Sequence, residues 1–113
     1  MLDFNLYMAQ RLSALVMIPL TLGHIAVMVY AIDGGLTAGE ILGRTQGSLG
    51  WFLFYGLFVV SVSVHAAIGL RVIAYEAFGM PRRHLPMLTF CIATVLLTMG
   101  LRAVWAVTYG VAA

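Results

Sequence analysis

Charged side chains are scarce in this 113-residue chain. Four residues are acidic, and the six basic residues are all arginine, with no lysine. Charged residues make up 9% of the sequence and hydrophobic residues 63%, a balance that a soluble domain of this size could not tolerate on its surface. The composition therefore excludes an ordinary soluble domain and favours a membrane protein.

Cysteine is nearly absent as well. Cys91 is the single cysteine, which excludes an internal disulfide, and its place inside an apolar run predicts a packing role. The sequence also lacks internal repeats and low-complexity tracts, and its predicted loops are short. These absences leave no room for a separate soluble domain.

Three long runs contain no charged residue. They cover residues 12–32, 45–70 and 84–101. Each is long enough for a membrane-spanning helix, the third with some extension. We therefore predict an all-α membrane protein with a single transmembrane domain over residues 1–113. Its three transmembrane helices are expected at about 10–32, 47–75 and 85–109, and a short helical pattern lies around Ala38–Leu42 in the first loop.

The arginines are distributed unequally between the two sides of this predicted bundle. With three spans, the N-terminus and the second loop share one side, which holds Arg11, Arg71, Arg82 and Arg83. The opposite side holds Arg44 and Arg102. The positive-inside rule then predicts a multi-pass protein of a bacterial or mitochondrial inner membrane, with its N-terminus on the cytoplasmic or matrix side.

His65 is an ionisable residue within the second charge-free run. An imidazole at this depth is costly unless a metal, a hydrogen-bond partner or water satisfies it, so it indicates a functional site. Gly69 lies one turn later on the same helical face and removes bulk beside the ring, and Arg71 supplies a cation towards the surface. An axial nitrogen, room for the macrocycle and a counter-charge for propionates are what a haem requires. We therefore predict a haem site here, with Ser61 holding the other ring nitrogen of His65.

Polar side chains also gather where the first helix enters the membrane. They are Tyr7, Gln10, Arg11 and Ser13. The second helix runs in the opposite direction and returns Arg71 to the same interface. Two interpretations stay open: the arginines are interfacial anchors, as is usual at helix ends, or the group donates hydrogen bonds to a quinone carbonyl or haem propionate. For Ser13, a bond back to its own helix is a further alternative.

These motifs resemble those of a known family. The segments Gln10-Arg11-Leu12-Ser13-Ala14 and His65-x3-Gly69-x-Arg71-x4-Glu76 are similar to patterns in the membrane-anchor cytochrome b subunits of succinate dehydrogenase and fumarate reductase. That family shows His-Arg-x-Ser-Gly in the first helix and His-x3-Gly-x-Arg-His-x3-Asp in the second. The sequence departs from these patterns at Gln10, Ala14, Val72 and Glu76. The family has two related anchor chains, and the motifs leave open which of the two this is.

The resemblance implies roles for individual residues. His65 matches the axial ligand of haem b, and Arg11 matches a residue near the quinone and the haem propionates. Ser13 matches the motif serine, and Tyr7 takes the place of a quinone-site serine. Arg71 is expected to bond a propionate or a hydrophilic partner. No residue of this chain is expected to be catalytic.

The resemblance also implies partners. The chain would be half of a haem-binding helical bundle completed by a second membrane anchor, and it would hold an iron–sulfur subunit and a flavoprotein subunit at the membrane. Quinone and lipid are also expected to bind this chain, whereas nucleic acid is not an expected partner. The chain would thus be a non-catalytic electron-transfer subunit of succinate:quinone oxidoreductase, with the dicarboxylate chemistry on the flavoprotein. The residues do not determine the direction of the reaction or the type of quinone.

His24 is a second deep histidine. It lies about 20 Å beyond Arg11 along the first helix, whereas His65 lies about 9 Å from the level of Arg71, so the two histidines should differ in depth by roughly 10 Å. They cannot ligate the same haem within this chain. In two-haem members of the family, first-helix histidines serve the distal haem, and this favours two haems here with His24 on the second. The alternative is an interhelical hydrogen bond.

Two other functions compete with this interpretation. One is a haem-free anchor of the same enzyme group, in which a hydrogen-bond partner satisfies His65. The other is a non-redox structural or transport subunit whose histidines relay protons. The latter requires a continuous polar path through the third helix, which offers Thr89, Thr94 and Thr98.

Overall fold

The computed structural model describes residues 3–110 of the chain. Within that range the elements, in order, are α1 (Phe4–Gly34), α2 (Ala38–Thr45), α3 (Leu49–Glu76), a 3-10 turn (Arg82–His84) and α4 (Leu85–Thr108). Helices α1 and α3 and the Arg82–Thr108 segment are each long and apolar enough to cross a membrane. This confirms the predicted all-α membrane fold with three spanning helices.

Helix α3 is the centre of the structure, and both α1 and α4 pack against it. The contacts between Gly23 and Phe54 and between Ser13 and His65 show that α1 and α3 are antiparallel. The bond between Arg71 and Thr89, together with the close approach of Val59 and Gly100, shows the same for α3 and α4. The start of α1, the end of α3 and the 3-10 turn therefore lie at one end of the molecule, which is here called the arginine-rich end.

Helix α1 begins at Phe4, about six residues earlier than predicted, because Asp3 caps it. The Asp3 carboxylate accepts a hydrogen bond of 2.8 Å from the backbone N–H of Leu6. The 31 residues of α1 would extend about 46 Å, which exceeds the hydrocarbon core of about 30 Å. The first turns of α1 consequently project towards the membrane surface at the arginine-rich end.

Helix α2 closes the opposite end. It begins with a capping box, in which Thr37 and Glu40 exchange side-chain-to-backbone hydrogen bonds. The bond from the Thr37 backbone lowers the pKa of the Glu40 carboxyl. The Thr45 hydroxyl donates to the Val107 carbonyl at 2.7 Å, and the backbone N–H of Gly47 donates to the Thr108 carbonyl. The α2 segment thus satisfies carbonyls that the last turn of α4 leaves without intrahelical partners.

Candidate functional site

A polar contact between α1 and α3 lies at the centre of the candidate site. The Ser13 hydroxyl oxygen is 3.3 Å from Nδ1 of His65, on the facing helix. The same hydroxyl donates to the backbone carbonyl of Gln10 at 2.9 Å. Ser13 is the single residue of α1 that is buried in the described structure, with 7% of its surface exposed. The interface between the two helices therefore holds a histidine whose Nδ1 already has a partner.

His65 also borders an open apolar groove on the side of α1. The groove has a volume of about 380 Å³, and the other residues that line it all come from α1: Ala14, Met17, Ile18, Thr21 and Leu22. Ile18 and Leu22 expose 59% and 64% of their surface. The groove is therefore open to a neighbouring molecule along its length, and a second helix could enclose it.

Gly69 lies one turn beyond His65 and faces Gln10. A Cβ built at Gly69 would lie 3.6 Å from Nε2 of Gln10, which is an ordinary contact distance. Packing within this chain thus does not require glycine at this position. The Gln10 side-chain oxygen is buried without a hydrogen-bond partner in the described structure. An unused hydrogen-bond acceptor therefore belongs to the side chain that faces Gly69.

Arg11 and Tyr7 form a pair on the exposed surface of α1. Nη1 of Arg11 donates to the Tyr7 hydroxyl at 3.4 Å, and the guanidinium carbon lies 5.7 Å from the centroid of the Tyr7 ring. Both residues are exposed. The pair therefore presents a cation and a hydroxyl outward at the arginine-rich end.

Arg71 turns away from this pair. Its Nη1 donates to the Thr89 hydroxyl on α4 at 3.3 Å, and Thr89 in turn donates to the Leu85 carbonyl at 2.8 Å. Nε of Arg71 is buried without a partner in the described structure. The two arginines that the sequence placed at one interface thus lie at the same end of the molecule, but Arg11 is exposed on α1 whereas Arg71 contacts α4.

His24 has a different environment from His65. Its ring lies 6.3 Å from that of Tyr55 and 5.2 Å from that of Phe58, centroid to centroid. It borders a cavity of about 330 Å³ that also reaches Val59 and Gly100 on the other two long helices. Along α1, His24 lies about 16 Å beyond Ser13, the residue at the level of His65. The separation in depth is larger than the predicted value, and the two histidines border separate cavities.

One of the sequence-based placements changes in the structure. Ser61 is buried on α3, but the hydroxyl that contacts Nδ1 of His65 belongs to Ser13 of α1. Ser61 precedes His65 by a turn on the same helix, whereas Ser13 faces the ring across the interface. Glu76 is exposed at the end of α3, and the nearby Arg82 donates to the Tyr75 hydroxyl at 3.2 Å.

The partner of Arg71, Thr89, was not predicted from the sequence. The positions of the two residues along their helices do indicate the contact. Thr89 lies four residues after the start of α4, and Arg71 lies five residues before the end of α3. Residues at matched depths on consecutive antiparallel helices are candidates for contact. The sequence does not indicate that Tyr55 and Phe58 are the neighbours of His24. Aromatic residues are frequent throughout the first part of α3, so the pattern does not single out these two.

The porphyrin of a haem supplies four of the iron ligands, so a single imidazole from one chain is enough to serve as a protein ligand. The described residues contain no group of three or more His, Cys, Asp or Glu side chains that could hold a free metal ion. His65 instead offers a single imidazole beside an open apolar groove. Its surroundings therefore fit the axial ligand of a haem held between two chains.

The helices and this site define a multi-pass membrane protein with a histidine-centred polar contact between two of its spanning helices. The model of one protein family, the succinate dehydrogenase/fumarate reductase transmembrane subunit, matches residues 2–101. The chain belongs to this family, as the resemblance of its first two helices predicted. Neither the search of curated proteins nor the search of solved structures found a significant match.

Proposed function

We propose that this chain is the membrane anchor of a succinate dehydrogenase or fumarate reductase that binds haem b through His65 and binds quinone at its arginine-rich end. Its function is to allow electrons to pass between an iron–sulfur subunit and the quinone pool. The observation that carries the proposal is the position of His65, which is held at Nδ1 by Ser13 and borders an open groove. Family membership supports the same conclusion.

The haem would supply a one-electron redox centre between the iron–sulfur subunit and the membrane. His65 would hold its iron, while the groove side chains Ala14, Ile18 and Leu22 would exclude water from one edge. Arg71 carries an unpartnered N–H at its buried Nε, and it would offer that donor to a propionate.

Quinone would bind near the exposed pair of Arg11 and Tyr7. Both side chains donate hydrogen bonds, and a quinone carbonyl only accepts them. A cation at this position also favours the negative charge that develops on a quinone oxygen during reduction. The location at the arginine-rich end would place the quinone beside the docked hydrophilic subunits.

The remaining components belong to partner subunits. A second membrane anchor would cover the groove of α1 and supply the other axial ligand, because the described part of this chain offers no second imidazole at the level of His65. An iron–sulfur subunit and a flavoprotein would dock at the arginine-rich end, on the cytoplasmic or matrix side of the membrane. The flavoprotein would interconvert succinate and fumarate, and this chain would take no part in that chemistry.

Replacing His65 tests the proposal. In the purified complex, His65→Ala should remove the low-spin signal of one haem b or convert it to high spin, while the flavoprotein and iron–sulfur subunits still co-purify. The dithionite-reduced absorption spectrum and low-temperature EPR measure this. His84→Ala is the matched control, since His84 is an exposed histidine in the loop before α4. An assembled His65→Ala complex with an unchanged low-spin spectrum would contradict the assignment, and a wild-type complex without a b-type band would establish a haem-free anchor.

A further inference from the structure

We infer that Ser13 is a positioning residue that fixes the tautomer of His65, keeping the proton on Nδ1 and leaving Nε2 free to bind a metal. The consequence for a haem rests on the proposed function. The hydrogen-bond assignment rests on the contacts of Ser13 alone. It gives Ser13 a role different from the quinone or propionate contact that the sequence motif implied.

The direction of the hydrogen bond between Ser13 and His65 follows from the fact that the serine hydroxyl has one hydrogen to donate. A serine hydroxyl carries one hydrogen, and a backbone carbonyl can only accept. The distance from the Ser13 oxygen to the Gln10 carbonyl is 2.9 Å, against 3.3 Å to Nδ1 of His65. The shorter bond takes the hydroxyl hydrogen. The contact with His65 is then a hydrogen bond only if the ring donates its Nδ1–H to the serine oxygen.

This assignment determines the state of the other ring nitrogen. A neutral imidazole has one N–H, so a proton on Nδ1 leaves a lone pair on Nε2. In the opposite arrangement Nδ1 would accept, Nε2 would carry the proton, and it could not bind a metal. Metal-binding histidines usually donate their second ring N–H to a protein acceptor, which orients the ring and raises its basicity.

The surroundings of Ser13 favour the hydrogen bond between its hydroxyl oxygen and Nδ1–H of His65. Ser13 is 7% exposed, so little water competes for Nδ1. The hydroxyl that accepts from His65 is itself a donor to Gln10, and such chains polarise one another, which strengthens the acceptor. Gln10 thus contributes through its backbone, and the side chain at position 10 is not needed for this role.

The test compares Ser13→Ala with Ser13→Thr in the intact complex. Ser13→Ala leaves Nδ1–H without an acceptor, so the imidazole is a weaker ligand for the oxidised iron. The midpoint potential of the haem bound by His65 should rise, and haem should be lost to an acceptor such as apomyoglobin about 10- to 100-fold faster. Ser13→Thr retains the hydroxyl and should restore both values.

Two further variants keep the result interpretable. Ser61→Ala is the matched control, because Ser61 is an equally buried serine one turn from His65 on α3. It should leave the potential and the rate of haem loss unchanged. Ser13→Cys has nearly the volume of serine and a much weaker acceptor, so it should behave as Ser13→Ala does even if the alanine variant does not assemble.

The outcomes separate this inference from the proposed function. If His65→Ala removes the low-spin haem but the Ser13 variants match wild type, the positioning role is overturned and the proposed function stands. If Ser61→Ala alone shifts the potential, Ser61 is the partner of His65 and the inference fails. If His65→Ala leaves the low-spin haem intact, both proposals fail.

Discussion

The two deep histidines differ at the residue scale in what surrounds them. His65 contacts a hydroxyl that is committed to a backbone carbonyl, and its ring borders an open groove. His24 lies against the rings of Tyr55 and Phe58, and it borders a cavity that is lined by residues of all three long helices. A functional role for each histidine therefore needs its own test.

We expect His24→Ala to remove one of two b-type haem components and to spare the one bound by His65. The reason is the separation of about 16 Å along α1, which is too large for both imidazoles to ligate one iron. A redox titration of the intact complex, with the ratio of haem to flavin, measures the outcome. Phe58→Leu serves as the control, since it changes the packing of His24 without removing the imidazole. One haem per flavin in the wild-type complex would assign His24 to aromatic packing instead.

Replacement of Arg11 should separate quinone chemistry from assembly. Arg11→Leu removes a charged donor at an exposed position, and hydrogen bonds to charged groups contribute about 1.5–3 kcal/mol. We expect quinone reduction to fall by roughly tenfold or more, while succinate oxidation with an artificial acceptor that takes electrons from the hydrophilic subunits is nearly unchanged. Arg102→Leu is the control, because Arg102 is an exposed arginine near the opposite end of the molecule. Equal loss of both activities would indicate an assembly defect and would remove the quinone role.

At the scale of the helices, α3 is the element on which the site depends. It carries His65 on the side of α1 and Arg71 on the side of α4, so one helix sets the relative positions of both groups. Small residues permit close approach between helices in a membrane, where the hydrophobic effect does not drive their association. Gly100 of α4 is such a residue, and a Cβ built there would collide with the side chain of Val59 on α3.

Gly100→Ala should therefore loosen the packing of α3 and α4. Overpacking of this kind costs about 1–3 kcal/mol, and we expect a lower midpoint of thermal inactivation of the complex in detergent. The double variant Gly100→Ala with Val59→Ala should recover much of the loss, because it removes the atoms that collide. Gly56→Ala is the matched control, since nothing lies within 4 Å of a Cβ at that position. A Gly100→Ala complex as stable as wild type would show that Val59 moves aside at little cost.

For the whole molecule, the unequal distribution of arginines predicts the orientation in the membrane. Four arginines lie at the arginine-rich end, against two on the opposite side, and the positive-inside rule then puts the N-terminus in the cytoplasm or matrix. These four arginines share one end because α1 and α3 are antiparallel and the 3-10 turn lies at the same end as the start of α1.

Cysteine labelling of a Cys91→Ser form in bacterial cells can test this orientation. Phe78→Cys, at a position with 81% exposure in the second loop, should react with a membrane-impermeant maleimide only after the cells are permeabilised. Leu36→Cys, at 60% exposure in the first loop, should react in intact cells. Neither substitution changes the distribution of charge. The reverse pattern would require the opposite orientation and would place the arginine-rich end outside.

The sequence by itself determined the class of protein and the number of spanning helices, and it gave the approximate level of the polar groups along them. Long charge-free runs fix which segments lie in the membrane, and the rise per residue then fixes the levels of His24, His65 and Arg71 to within a few turns. The motifs around Arg11 and His65 were also sufficient to indicate the family.

Only the tertiary structure decided which side chains meet at those levels. The sequence predicted that Ser61 holds a ring nitrogen of His65 because the two lie one turn apart, yet Ser13 makes the contact with Nδ1 from the facing helix. Likewise, Arg71 turns to Thr89 and leaves Arg11 paired with Tyr7. The physical reason is that a membrane helix is apolar on all sides, so its sequence pattern does not distinguish a lipid-facing side from a helix-facing one. The rotation of each helix is set instead by packing of particular side chains across the interface.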